Sequence, residues 1–188
     1  MFHLKQLLTN HHSLYSAQCK AEYWEELCSK ALIRADFGSN WMPDFNHVTG
    51  EDQRTDSGIR ISNKSGQYKN NTLTINGSRL TKHKTIEEKI AFISKQHDDF
   101  IFCLATDNSW NPDNPIYYFV VIDSKRLSYD KCEWVATFAS KGKNKGKING
   151  WKTASKLGFS AKITMSMSDQ LWTAINSDLF TEVYKIEL

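Results

Sequence analysis

The chain has 188 residues, of which 40% are hydrophobic and 24% charged, with three prolines and nine glycines. That length suits one hydrophobic core rather than two, so a single domain over 1–188 is expected, and the composition excludes disordered, collagenous and fibrous proteins. A formal net charge of +3 is too small to argue for a polyanionic partner by itself. The longest apolar runs, Phe100–Ala105 and Ile116–Ile122, span six and seven residues, against the roughly 18 a membrane-crossing helix needs. The first residues lack the ordered charged, apolar and small-residue regions of a secretory signal, so the expected location is cytoplasmic. Cys19, Cys28, Cys103 and Cys132 form no CxxC pair and are expected to be free, buried thiols rather than zinc ligands or disulfides.

In chain order, Leu14, Ala17, Ala21, Trp24, Cys28 and Ala31 or Leu32 recur at helical spacing and predict an amphipathic helix over Ser13–Leu32. A short segment around Phe45–Thr49 follows. The turn signal Asp56-Ser57-Gly58 and the alternation of Ile59 and Ile61 predict a β-hairpin. Thr72–Gly77 reads as a short strand, and Thr85, with Glu88 three residues on, reads as the capping box of a helix. Phe100–Ala105 and Ile116–Ile122 are continuous apolar runs suited to central strands buried on both faces. Trp134–Phe138 and Ala161–Met165 predict further strands, and Ser168–Ile175 a capped terminal helix with Trp172 in the core. The expected class is α/β or α+β, a mixed central sheet flanked by helices.

The hairpin carries the chemistry. Side chains alternate along a strand, so Arg60, Ser62 and Lys64 share one face and the isoleucines the other. Closure through Asp56-Ser57-Gly58 pairs Thr55 with Ile59 and Gln53 with Ile61, which sets Asp52 opposite Ser62 and on the face of Lys64. Glu51 then points the other way. A fixed carboxylate beside a lysine suits metal-assisted phosphodiester hydrolysis: the carboxylate holds Mg²⁺ against a phosphate oxygen, and the lysine orients or deprotonates the attacking water. By geometry alone, an Asp and a Lys across an exposed hairpin are more often a surface ion pair worth about 0–1 kcal/mol.

The string Gly50-Glu51-Asp52, twelve residues before Lys64 in the setting GIRISNKSG, resembles the metal-binding hairpin of type II restriction endonucleases of the PD-(D/E)xK superfamily. The resemblance implies a restriction-endonuclease-like fold, with Asp52 as the first metal-binding acid and Lys64 as the lysine at the water. Ser62 stands where that family carries its second acid. Some members recruit a glutamate from elsewhere in the fold. Glu25 is the candidate here, because Trp24-Glu25-Glu26-Leu27 is similar to the glutamate-bearing N-terminal helix of such enzymes. Asn63 would offer its backbone carbonyl to the metal, its side chain facing away, and Ser62 would hydrogen-bond a metal-bound water.

The expected protein is thus a Mg²⁺-dependent endodeoxyribonuclease that cuts double-stranded DNA at a short sequence, working as a twofold homodimer on a palindrome. Arg79, Lys82, His83 and Lys84 precede a helix start and suit phosphate and base contacts. The segment from Lys141 to Lys156 holds six lysines and no acid. Lys143, Lys145, Lys147 and Trp151 within it are candidate DNA contacts, and a solvated lysine loop is the plainer alternative. His47 could approach the metal. Three rival readings stay open: a repair or junction-resolving nuclease, a DNA-binding module that no longer cuts, and a protein-interaction domain.

Overall fold

The computed structural model describes residues 1–42, 51–95, 97–154, 157–165 and 169–188. The Phe45–Thr49 segment and His47 lie outside the described residues, as do Gly50, Lys156 and Ser168. The protein is α+β, built on a ten-stranded mixed open sheet in the order β10-β5-β4-β2-β3-β9-β8-β7-β6, with β1 paired to β2. Helices α1 (Phe2–His12) and α2 (Ala21–Arg34) precede the hairpin of β1 (Gln53–Arg54) and β2 (Arg60–Lys69). Then come β3 (Thr72–Arg79), α3 (Ile86–Ile93), β4 (Phe100–Thr106) and β5 (Ile116–Asp123). The remaining strands are β6 (Trp134–Phe138), β7 (Ile148–Thr153), β8 (Phe159–Thr164), β9 (Gln170–Asn176) and β10 (Glu182–Glu187).

β2 and β4 run parallel, and the other pairings among the described residues are antiparallel. β4 is buried on both faces, as its continuous apolar run requires. Ile101, Cys103 and Ala105 join one core with Leu73 and Ile75 of β3, Val120 and Ile122 of β5, Ile93 of α3, and Ile163 and Ile175 of β8 and β9. Leu104 joins a second core with Leu4 and Leu8 of α1 and Trp24 and Cys28 of α2, and Phe102 packs against it. Helices therefore lie on both faces of the sheet.

Three expectations are corrected. The helix predicted over Ser13–Leu32 begins at Ala21 and is preceded by a separate helix, α1. The Tyr117 hydroxyl on β5 accepts from the Cys19 amide at 2.8 Å and bonds the His12 ring at 2.9 Å, fixing the connector between them. Leu14, counted in the helical stripe, is 77% exposed there. The terminal helix predicted over Ser168–Ile175 is strand β9 within the described residues. Leu171, Thr173 and Ile175 are buried in alternation, a period of two that β-branched residues favour. Asp169 pairs its carboxylate with Lys89 at 3.3 Å instead of capping a helix. Consequently Trp172 faces outward, 41% exposed, and is not a core residue. The lysine-rich segment is also not one solvated loop, since Ile148–Thr153 within it forms β7 against β6 and β8.

Candidate active site

The hairpin closes as its sequence dictates. The Gly58 amide donates to the Thr55 carbonyl at 2.9 Å and the Thr55 amide to the Ile59 carbonyl at 3.0 Å. Gly58 sits at φ +88°, where a side chain would be strained. Gln53 pairs with Ile61, and the Asp52 amide donates to the Ile61 carbonyl at 3.0 Å. Beyond that bond the edge of β2 is open until β3 pairs with it from Gly66 onward.

Asp52 fills this gap. Its Oδ2 accepts from the Asn63 amide at 2.6 Å, the Ser62 hydroxyl at 3.2 Å and the Lys64 ammonium at 3.2 Å. The same ammonium donates to the Asn63 carbonyl at 3.1 Å. Lys64 Nζ thus lies between a carboxylate oxygen and a main-chain oxygen that converge on one cationic centre. Both side chains keep access to solvent, 23% for Lys64 and 16% for Asp52. The Ser62 hydroxyl orients the Asp52 carboxylate directly. The Asn63 side chain turns away, the residue being 4% exposed, and among the described residues neither end of its amide has a hydrogen-bond partner.

Helix α2 lies along this stretch of β2. The Ala21 amide donates to Ser65 Oγ at 3.1 Å, and Gln53 Nε2 donates to Cys28 Sγ at 3.0 Å. Ala21, Glu25 and Cys28 occupy one helical stripe, so the two contacts bracket Glu25 beside the strand segment that carries Asn63. Glu25 Oε2 accepts from the Trp41 indole at 3.4 Å. Burial pushes the Cys28 thiol up to about 12, despite the Gln53 amide that favours its thiolate, so this neighbour is a neutral packing group.

The surrounding charges are neutralised in pairs. Glu51, which faces away from Asp52, is buried and takes the Arg54 guanidinium on both oxygens, at 2.9 and 2.8 Å. Arg60 is held by Asp99 at 2.9 Å, and that contact holds the Asp99 carboxyl down to about 2. Asp98, just before β4, was not singled out from the sequence. Burial pushes its carboxyl up to about 6, against the pull of the Ser124 hydroxyl and the Lys64 ammonium, and it also feels the Asp52 charge. The legible signal was an acidic pair, Asp98-Asp99, opening the apolar strand next to the lysine strand.

Arg79 at the end of β3 and Lys82 and Lys84 beyond it are exposed, whereas His83 is half-buried with its ring 4.5 Å from that of Phe92. The Lys89 ammonium donates to the His83 carbonyl. Lys143, Lys145 and Lys147 are exposed in the β6–β7 loop, and Trp151 packs partly buried against the larger core.

Among the described residues no cluster of three or more His, Cys, Asp or Glu side chains could hold a metal. A divalent cation seated here would therefore take Asp52 Oδ2 and the Asn63 carbonyl as protein ligands, the rest of its shell coming from Glu25, water and phosphate oxygens. That all-oxygen donor set fits Mg²⁺, which keeps several waters and binds through one or two carboxylates plus phosphate. No protein-family model matches the chain, and no curated protein matches it.

Proposed function

We propose that this chain is a Mg²⁺-dependent endodeoxyribonuclease, similar to type II restriction enzymes of the PD-(D/E)xK superfamily and folded like them, that hydrolyses double-stranded DNA at a short specific sequence. The observation that supports it is the convergence of Asp52 Oδ2 and the Asn63 carbonyl on one cationic position occupied by the Lys64 ammonium. Bound there, Mg²⁺ would polarise the scissile phosphate. Asp52 and the Asn63 carbonyl hold the cation seat, Ser62 fixes the Asp52 carboxylate, and Glu25 reaches in from α2. Lys64, released from Asp52, would align the attacking water by donating a hydrogen bond to it, the proton of that water leaving to solvent. Arg79, Lys82, His83, Lys84, Lys143, Lys145 and Lys147 contact the duplex, mainly its phosphates. A homodimer matches the twofold symmetry of a palindromic site.

Digestion of unmethylated phage DNA tests this reading. Discrete bands that require Mg²⁺ and disappear in Asp52→Ala and Lys64→Ala are expected, with Glu25→Ala at least tenfold slower. Intact DNA from a folded wild type that still binds duplex would replace the nuclease with a non-cleaving DNA-binding protein. Ser62 in the acid position is the feature that favours that second reading. Cutting confined to branched substrates would point to a repair or junction nuclease.

A further inference from the structure

Strands β3, β9, β8 and β7 give one face to the larger core and the other to solvent. Their register fixes the outward row: Asn76 is opposite Trp172, Trp172 opposite Lys162, and Lys162 opposite Lys152. Directly paired residues of antiparallel strands share a face, so these four side chains form one line across the sheet. The adjacent inward row, with Ile163, Leu171 and Trp151, belongs to the core. Lys152, Lys162 and Trp172 are all exposed.

Two lysines directly opposite each other repel and destabilise the free protein. None of β3, β6, β7, β8 and β9 contains Asp or Glu, and the acid that flanks the row is Glu133, just before β6 at the Lys152 end, where its carbonyl accepts from the Ala154 amide. Arg79, opposite Gln170, adds positive charge at one end, and Lys141, Lys143, Lys145 and Lys147 add more at the exposed tip of the β6–β7 hairpin. An indole left in solvent amid cations is the chemistry of a polyanion with apolar sugar surfaces. Four strands about 4.8 Å apart make the row about 14 Å long, or roughly four nucleotides of one strand. The row begins one strand away from β2, since Gly66 pairs with Ile75, and it lies on the face that Asn63 and Ser65 share; the Lys64 side chain leaves β2 on the opposite, core-facing side.

We infer that this outward sheet face is a docking surface for duplex DNA, with Lys152 and Lys162 on phosphates and Trp172 against the sugars between them. The Lys141–Lys147 loop continues along the same backbone. Duplex, rather than another polyanion, rests on the nuclease reading; the polyanion itself rests on the charge of the face.

The test is fluorescence anisotropy of the full chain with a labelled 30-base-pair duplex in EDTA, over a range of salt. The double variant Lys152→Ala/Lys162→Ala is expected to flatten the slope of log affinity against log salt by about 2, since each phosphate contact contributes about 0.9. Trp172→Ala should weaken binding about tenfold, and Trp172→Phe should restore most of it. An unchanged slope and affinity in the double variant, with its thermal melt intact, would overturn the face. So would preference for a single strand over the duplex. Mg²⁺-dependent cleavage by a wild type whose binding ignores these residues would sink the docking surface and spare the nuclease. Tight, face-dependent binding without cleavage would do the reverse.

Discussion

At the scale of single residues, Asp52 is defined by its partners: a main-chain amide, a hydroxyl and an ammonium all donate to one of its oxygens. Spacing and alternation alone place Asp52 and Lys64 together, and they foretell that Glu51 faces elsewhere. They do not foretell that Arg60, on the same strand face as Lys64, is consumed by Asp99. Nor do they reveal Asp98, whose neighbourhood is made by chain segments distant in sequence. Asp98 carries a prediction about pH. Its carboxyl, raised to about 6 in the fold, ionises near 4 in the unfolded chain. Keeping it neutral thus stabilises the fold at pH 4 and below, and that contribution is lost as pH rises from 4 through 6. By linkage, two pH units amount to about 3 kcal/mol at most. Asp98→Asn should therefore melt several degrees higher than the wild type at pH 7.5 and match it near pH 4, as read by thermal denaturation across pH. Equal melting temperatures throughout would remove the burial of charge as its cause.

At the scale of elements, the hairpin was legible because its turn is local: Asp56-Ser57-Gly58 sets the register, and the register sets the face. The capping box of α3 was legible for the same reason, with the Thr85 hydroxyl accepting from the Glu88 amide at 3.2 Å. Helix α2 and strand β9 show the limit. Leu14 and Ala17 extend the stripe of α2 by coincidence, and Tyr117, about a hundred residues away, decides where the chain breaks. The stretch from Gln170 onward satisfies both a helical and an alternating pattern, and pairing with β3 and β8 selects the strand. Gly58→Ala, at a positive φ, should cost about 1 kcal/mol in a denaturant melt and slow cleavage by loosening Asp52. Trp24→Ala should cost about 3–5 kcal/mol, since the indole is 1% exposed and its nitrogen donates to the Phe102 carbonyl at 3.3 Å. A smaller loss would mean that α2 is not anchored to the sheet there.

At the scale of the molecule, the parallel pairing of β2 with β4 places the lysine strand well inside the sheet, between the two cores. The chain carries β2 away from the edges, yet the short β1 and the late start of β3 leave part of its margin free for Asp52. The mixed sheet and its two apolar runs could be read from the sequence. The second half, β6 to β9, could be read only in part, because its inward residues alternate with polar ones and its strands gain meaning from their neighbours. No described helix is long and apolar enough to cross a membrane. In the proposed mechanism Asp52 and the Asn63 carbonyl form a divalent-cation seat for which Lys64 competes. Titration of the protein with Mn²⁺, a spectroscopically visible oxygen-seeking substitute for Mg²⁺, measures it directly. One Mn²⁺ per chain is expected, bound at least tenfold more weakly by Asp52→Asn and no more weakly by Lys64→Ala. Binding that is unaffected by Asp52→Asn, or that is lost with Lys64→Ala instead, would rule out a cation seat at Asp52.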